Sequence, residues 1–257
     1  MRNTCGIISH RGVCRVHPND SRVGGNTIEA FEEGIRKLEE AGFSKSVEFD
    51  VRLTKDGIPA VIHYDFVDDN TNGHGQVRGY LFSELQKLDA GYGRKIPSLA
   101  EVLDHFKDRD VSFHIEFKEH GLSEIIRQHI FERGLAGKVV VSTFNDDDLD
   151  PLNKDPELSS RWSDLQTFQG IVPNTFLATA KKILHMGGPA PFVEEARRAG
   201  AYAIGPEESA VNEELVAIAH EAGLQVNVWV VNDPVTYKTL AGYGVDNVFC
   251  DNPDFLV

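Results

Sequence analysis

The pattern that most restricts this chain is a repeated pairing of a short β-branched run with an amphipathic helical stretch. The runs are CGIISH (5–10), SVEFDV (46–51), VSFHIEFK (111–118), KVVVSTF (138–144), LQTFQGI (165–171), AYAIGP (201–206), QVNVWVVN (225–232) and DNVFCD (246–251). Between them lie NTIEAFEEGIRKLEEAG, SLAEVLDHF, GLSEIIRQHIFERG, an Asp-rich stretch at 145–161, a long helical stretch at 176–199, NEELVAIAHEAG and DPVTYKTLAGYG. Several of these open on Asn, Ser or Asp and close on Gly, the residues that start and stop helices. Eight strands alternating with helices predict an α/β chain closed as a TIM-like (β/α)₈ barrel. An open doubly wound sheet is the alternative, but no GxGxxG follows the first strand. No linker divides the sequence, so residues 1–257 read as one domain.

One run breaks the count. IPAVIHYD (58–65) follows SVEFDVRLT after only the turn TKDG. Parallel neighbours need a crossover of a dozen residues or more, so these two predict an antiparallel hairpin. Strand 2 is then expected to rise above the barrel rim and fold back, as a β-hairpin extension that carries His63 to the rim. Alternation sorts the faces. Val47, Phe49 and Val51 oppose Glu48 and Asp50; Phe113, Ile115 and Phe117 oppose His114, Glu116 and Lys118; Val226, Val228 and Val230 oppose Asn227, Trp229 and Val231. The first set of each group is expected against the helices and the second inside the barrel. Aliphatic side chains normally fill a barrel, so this much polarity inside requires partners.

Glu48, Asp50 and Glu116 place three carboxylates in one barrel mouth. Such charges repel unless protonated or neutralised by a cation. Hard oxygen donors suit a divalent cation of the Mg²⁺ or Ca²⁺ kind rather than zinc. The competing expectation pairs each acid with a base, Lys118 serving one and Arg52 another. His10 ends strand 1 and His63 ends the folded-back strand, and two imidazoles at a rim can divide base and acid work at phosphorus. Of the ten histidines, His17, His74, His105, His120, His129, His185 and His220 are read as packed or solvated, and His114 as a polar core residue. Arg11 and Lys118 are candidates to hold phosphate oxygens, or simply balance the acids. Gly12 either permits close approach to a ligand or makes a turn. Trp229 forms an apolar wall for an alcohol group or packs in the core. Asp251 with Pro253 is expected to cap the turn after strand 8.

A formal charge of −14 argues against nucleic acid and anionic lipid, leaving a small polar substrate. Cys5, Cys14 and Cys250 are odd in number, without ligand spacing, and read as reduced intracellular thiols. No apolar run behind a basic segment suggests a leader, and none approaches the length of a membrane span, so a cytoplasmic location is expected.

HRG (10–12), NTIEAF (26–31), VEFDVRLTKDG (47–57), PAVIH (59–63), TNGHG (71–75), IPSLAEVL (96–103), IEFK (115–118), STF (142–144), WVVN (229–232) and GVDNVFCDNPD (244–254) together resemble the glycerophosphodiester phosphodiesterase family. The ordered set runs nearly end to end. The resemblance implies a TIM-like barrel that acts as one catalytic domain and hydrolyses glycerophosphodiesters, such as glycerophosphocholine, to sn-glycerol 3-phosphate and an alcohol. It assigns metal to Glu48, Asp50 and Glu116, acid–base work to His10 and His63, and substrate contacts to Arg11, Lys118 and Trp229. The sequence departs from the pattern at Gly25, where Glu is usual, at Tyr64, where Asp is usual, and at Cys250 and Asn252. A lyase-like enzyme stopping at a cyclic phosphate, and a non-catalytic phosphodiester-binding barrel, are the competing readings.

Overall fold

The structure is a computed structural model that describes residues 5–14, 24–143, 166–170, 183, 186–198 and 201–257. The Asp-rich stretch 145–161, most of 176–199, and His17 and His185 lie outside the described residues. Nine strands follow in chain order among those described: β1 Gly6–His10, β2 Ser46–Leu53, β3 Pro59–Val61, β4 Ser112–Phe117, β5 Val139–Thr143, β6 Gln166–Gly170, β7 Ala203–Gly205, β8 Gln225–Val228 and β9 Asn247–Cys250. The helices are α1 Ile28–Glu40, the short α2 Phe82–Leu85, α3 Leu99–Phe106, α4 Ser123–Glu132, α5 Pro189–Arg198, α6 Glu213–Glu221 and α7 Pro234–Tyr243.

Eight strands pair in parallel in the order β1-β9-β8-β7-β6-β5-β4-β2, and β2 pairs back to β1, which closes the ring. The expected (β/α) barrel is therefore the observed architecture. Four helices, α1, α3, α6 and α7, begin after residues whose side chains satisfy open backbone N–H groups. Thr27 accepts from the Ala30 N–H at 3.2 Å, and Ser98 forms a capping box with Glu101. Asn212 and Asp233 cap α6 and α7 in the same way, and α7 ends on Gly244 in the left-handed conformation.

The outward faces of β2 and β4 bury Val47, Phe49, Val51, Phe113, Ile115 and Phe117 against α1, α3 and α4. Phe31 of α1 meets Phe49 with ring centroids 5.4 Å apart. Val226 and Val228 join a second outer core with α5, α6 and α7. The expected alternation fails beyond Trp229, one residue past the end of β8. Val231, expected inside, is buried in that outer core, and Val230, expected outside, is half-exposed. The ladder that enforces a period of two stops there, so the alternation has nothing to hold it.

The hairpin is formed as expected. β3 runs antiparallel to β2, with Val51 opposite Val61 and Leu53 opposite Pro59. Thr54 accepts from the Ile58 N–H at 3.0 Å, and Gly57 takes the positive φ of 74° that the tight return requires. Residues 62–97 then make an excursion with a small core of its own, built on Ile62, Val67, Val77, Leu85 and Ile96.

The barrel interior is polar at its base. Ser46, Ser112, His114, Gln225 and Asn247 line a cavity of about 290 Å³. His114 is buried against Phe249, ring centroids 5.5 Å apart, and its Nδ1 has no hydrogen-bond partner. Burial lowers its pKa from 6.5 to about 4. The unfolded chain thus takes up this proton first as pH falls. The contribution of neutral His114 is complete above pH 6.5 and is lost progressively down to about pH 4. Denaturant titrations should show a loss of about 3 kcal/mol across that window, and the His114→Gln variant should lack this component. An unchanged pH slope in the variant would remove His114 as its source.

Candidate active site at the C-terminal mouth

The strand register brings the predicted acids together. Glu48 pairs with His10 across β1–β2, and Asp50 pairs with Glu116 across β2–β4. Their side chains alternate inward, so Glu48, Asp50 and Glu116 each offer an oxygen within 4.8 Å of the others. Burial followed by the other two acids raises the pKa of Glu48 well above the carboxylate range. Burial and Asp50 push Glu116 up to about 7, although Lys118 opposes them. Asp50 goes the other way: burial opposes its ionisation, but Lys118 and Arg11 outweigh burial and hold it ionised. The donor set and this residual repulsion fit a hard divalent cation.

The expected pairing with bases is half right. Lys118 lies 3.0 Å from Asp50 and also bonds Glu116, and Arg11 Nε lies 3.2 Å from Asp50. Arg52 serves none of the three. It donates to the His63 carbonyl at 2.8 Å and lies 3.5 Å from Glu119. The reason is height and not face: Arg52 shares the inward parity of Glu48 and Asp50 but stands beyond the barrel rim in the hairpin, opposite Ala60.

His63 returns to the site by the folded-back strand. The Ile62 N–H donates to the Asp50 carbonyl at 2.9 Å, which fixes His63 one residue above the acids. Its ring sits edge-on to Tyr64 at 4.5 Å, and its Nδ1 is buried without a hydrogen-bond partner. Burial lowers its pKa to about 3, with Asp50 opposing and His10 among the charges that reinforce the fall. His10 is likewise held neutral, by burial first and Arg11 second. The two imidazoles thus share one electrostatic environment.

Sequence reasoning missed the partner of His10. Asp251 Oδ1 lies 2.6 Å from His10 Nδ1, and Asp251 Oδ2 accepts from Asn232 Nδ2 at 2.8 Å. Asp251 does not cap the turn as expected; Asn252 does, accepting from the Asp254 N–H at 3.2 Å. Alternation places Asp251 inward beside His10, because β9 is the neighbour of β1 in the ring. The bond directs the other ring nitrogen, Nε2, toward Glu48, 3.9 Å away. Burial opposes ionisation of Asp251, but its bond to His10 outweighs that and keeps the carboxyl ionised. Asn26 was also missed as a support: its Nδ2 donates to Asp50 Oδ2 at 2.9 Å.

Gly12 makes a turn rather than a ligand approach. A Cβ there would lie 2.4 Å from the Ala30 carbonyl carbon, so Gly12 seats the loop on α1. At Gly25 a Cβ would lie 2.6 Å from that of Cys14 and 2.8 Å from that of Arg11, which explains why no side chain stands there. The Arg11 guanidinium lies 5.9 Å from the Tyr64 ring. Trp229 is inside the barrel, packed with Ile8, Val140, Ala203 and Phe249, and its Nε1 donates to the Gly205 carbonyl at 2.7 Å. Of the histidines set aside, His74, His105 and His220 bond Asp68, Glu32 and Asp246 away from the mouth. The three cysteines are buried and none forms a disulfide. Among the described residues no helix is long and apolar enough to cross a membrane.

Fold and site together define a parallel α/β barrel enzyme with its polar groups gathered at the C-terminal ends of the strands. The sequence profile of the glycerophosphoryl diester phosphodiesterase family matches residues 10–255. The chain belongs to that family and is an enzyme of its type. It is 29% identical over 263 residues to the glycerophosphodiester phosphodiesterase of Caldanaerobacter subterraneus, covering 98% of this chain and 96% of that one. A glycerophosphodiester phosphodiesterase of Bacillus subtilis is 27% identical, covering 96% and 83%. The crystal structure of the Thermotoga maritima glycerophosphodiester phosphodiesterase superposes with a TM-score of 0.73 at 25% identity, covering 97% and 96%. An Oleispira antarctica phosphodiesterase, solved with its product sn-glycerol-3-phosphate, has the same fold, with a TM-score of 0.74 at 22% identity over 98% and 95%.

Proposed function

We propose that the chain, acting as one catalytic domain, hydrolyses glycerophosphodiesters to sn-glycerol 3-phosphate and an alcohol. In this reading Glu48, Asp50 and Glu116 hold a divalent cation, Mg²⁺ or Ca²⁺, and His10 and His63 divide the proton transfers. The observation that carries it is the convergence of three acid oxygens within 4.8 Å beside an imidazole fixed by Asp251 at 2.6 Å. The name of the Oleispira relative adds support, since the product bound there is sn-glycerol-3-phosphate.

His10 is assigned the base. With Nδ1–H donated to Asp251, Nε2 presents its lone pair to the mouth, and the neutral ring is ready to take a proton at ordinary pH. His63 is assigned the acid. Burial keeps its ring neutral in the free site, so in this reading it takes up its proton only with the entering phosphodiester, whose negative charge adds to that of Asp50. Arg11 and Lys118 then hold non-bridging phosphate oxygens, and Trp229 walls the alcohol side. A bound divalent cation supplies Lewis-acid stabilisation of charge building on phosphorus.

Phosphorus NMR of the products tests the reaction class. The expected spectrum shows the diester replaced by the sn-glycerol 3-phosphate monoester. A cyclic phosphate that persists to the end of the reaction would instead assign a lyase-like outcome.

A further inference from the structure

A thiol that the proposed chemistry does not use stands beside the assigned base. His10, Cys14 and Asp251 each offer one ligand atom, and these atoms lie within 4.8 Å of one another. The spacing of the cysteines along the chain gives no sign of this trio, because closure of the ring assembles it. Cys14 follows β1, Asp251 follows β9, and the two strands are neighbours. The Cys14 N–H donates to the Asp251 carbonyl at 3.1 Å, and the Cys14 carbonyl accepts from the Gly24 N–H at 3.2 Å. Held in this way, the thiol donates to the Asp251 carboxylate. Cys14 and Asp251 are each only 4% exposed, while His10 is partly open to the mouth.

The donors differ in kind from those of the acid cluster. Three carboxylates suit Mg²⁺ or Ca²⁺, whereas a thiolate, an imidazole and a single carboxylate are ligands for zinc and softer ions. Charge agrees with this sorting. A divalent ion on one thiolate and one carboxylate leaves the trio neutral, so its burial strands no net charge. The proton count is definite as well. The Cys14 thiol gives its proton to solvent when the ion binds. The proton on His10 Nδ1, now shared with Asp251 at 2.6 Å, must leave that nitrogen, and the neutral ring then carries it on Nε2. Nε2 is the atom that receives the proton in the reading above, and it lies 3.9 Å from Glu48. An N–H at that position donates and cannot accept.

We propose that His10, Cys14 and Asp251 form an inhibitory site for a thiophilic divalent cation such as Zn²⁺, which locks His10 in the tautomer that cannot act as a base. The inhibition rests on the phosphodiesterase reading above; the metal site itself does not. Hard cations go to Glu48, Asp50 and Glu116 and soft ones to the trio, so one mouth is served by the first kind and silenced by the second.

The test adds Cd²⁺ or Zn²⁺ to protein already saturated with Mg²⁺, in the wild type and in Cys14→Ser. Cd²⁺ is the spectroscopic probe, because its bond to a thiolate gives an ultraviolet charge-transfer band. The wild type should show that band, Cys5→Ser should keep it, and Cys14→Ser should lose it. Nitrogen NMR of the wild type needs no variant: with Cd²⁺ bound, the His10 ring should carry the ion on Nδ1 and its proton on Nε2. Zn²⁺ should lower wild-type kcat by about 10²–10⁴-fold, the share of one acid–base partner, and Cys14→Ser should lose this inhibition. No band in the wild type, an Nδ1 that keeps its proton, or equal inhibition of both proteins would overturn the proposal. If Cd²⁺ binds in this way but no diester is hydrolysed with Mg²⁺ or Ca²⁺ alone, the phosphodiesterase reading fails and the soft-metal site stands.

Discussion

Replacing His63 by alanine is expected to lower kcat by about 10²–10⁴-fold, the usual contribution of one acid–base partner, while the fold is retained. The retention follows from how the ring is held. Its Nδ1 has no hydrogen-bond partner and its main ring contact is edge-on to Tyr64, so truncation breaks no side-chain hydrogen bond at that atom. What anchors the segment is backbone: the Ile62 N–H on the Asp50 carbonyl, and the His63 carbonyl accepting from Arg52. Turnover by the purified variant, read beside its thermal melt, checks this. An unchanged kcat would take His63 out of the chemistry, whatever its place at the rim.

The second large effect is expected at Asp50. It is 1% exposed and is the point where Arg11, Lys118 and Asn26 meet. In Asp50→Asn the shape stays and the charge goes. Two buried cations lose their common partner, and the acid cluster loses its one firmly ionised member. If the cluster holds a cation that stabilises the transition state by several kcal/mol, kcat/KM falls by roughly 10²–10⁴-fold. A second readout needs no substrate. A cation at about 100 times its Kd stabilises the native state by about 2.7 kcal/mol, so Mg²⁺ or Ca²⁺ should raise the wild-type Tm and leave that of the variant nearly unmoved. Equal shifts in both proteins would place the cation somewhere else.

Much of this was legible in the residues because two periods govern it. β-branched runs separated by helical stretches fixed the strand count, and alternation put Glu48, Asp50, Glu116 and Trp229 inside before any coordinates were needed. The four-residue turn TKDG was enough to require the hairpin that carries His63 back. What was not legible depended on distances across the ring. Asp251 looks like a helix cap because Pro253 follows it, and only the adjacency of β9 to β1 shows that it meets His10. Arg52 looks like a partner for the acids because it is two residues from Asp50, yet the hairpin lifts it to Glu119 and Asp65. Val231 obeys no alternation because its ladder has ended.

The central claim is that this mouth cleaves glycerophosphodiesters with a cation held by Glu48, Asp50 and Glu116. The most direct test is release of sn-glycerol 3-phosphate from a panel of glycerophosphodiesters, after treatment with EDTA and again after Mg²⁺ or Ca²⁺ is restored. Release should vanish on chelation and return with the metal. Full release in the presence of EDTA would contradict the cation's role, and no release from any diester with either metal would contradict the proposed reaction itself.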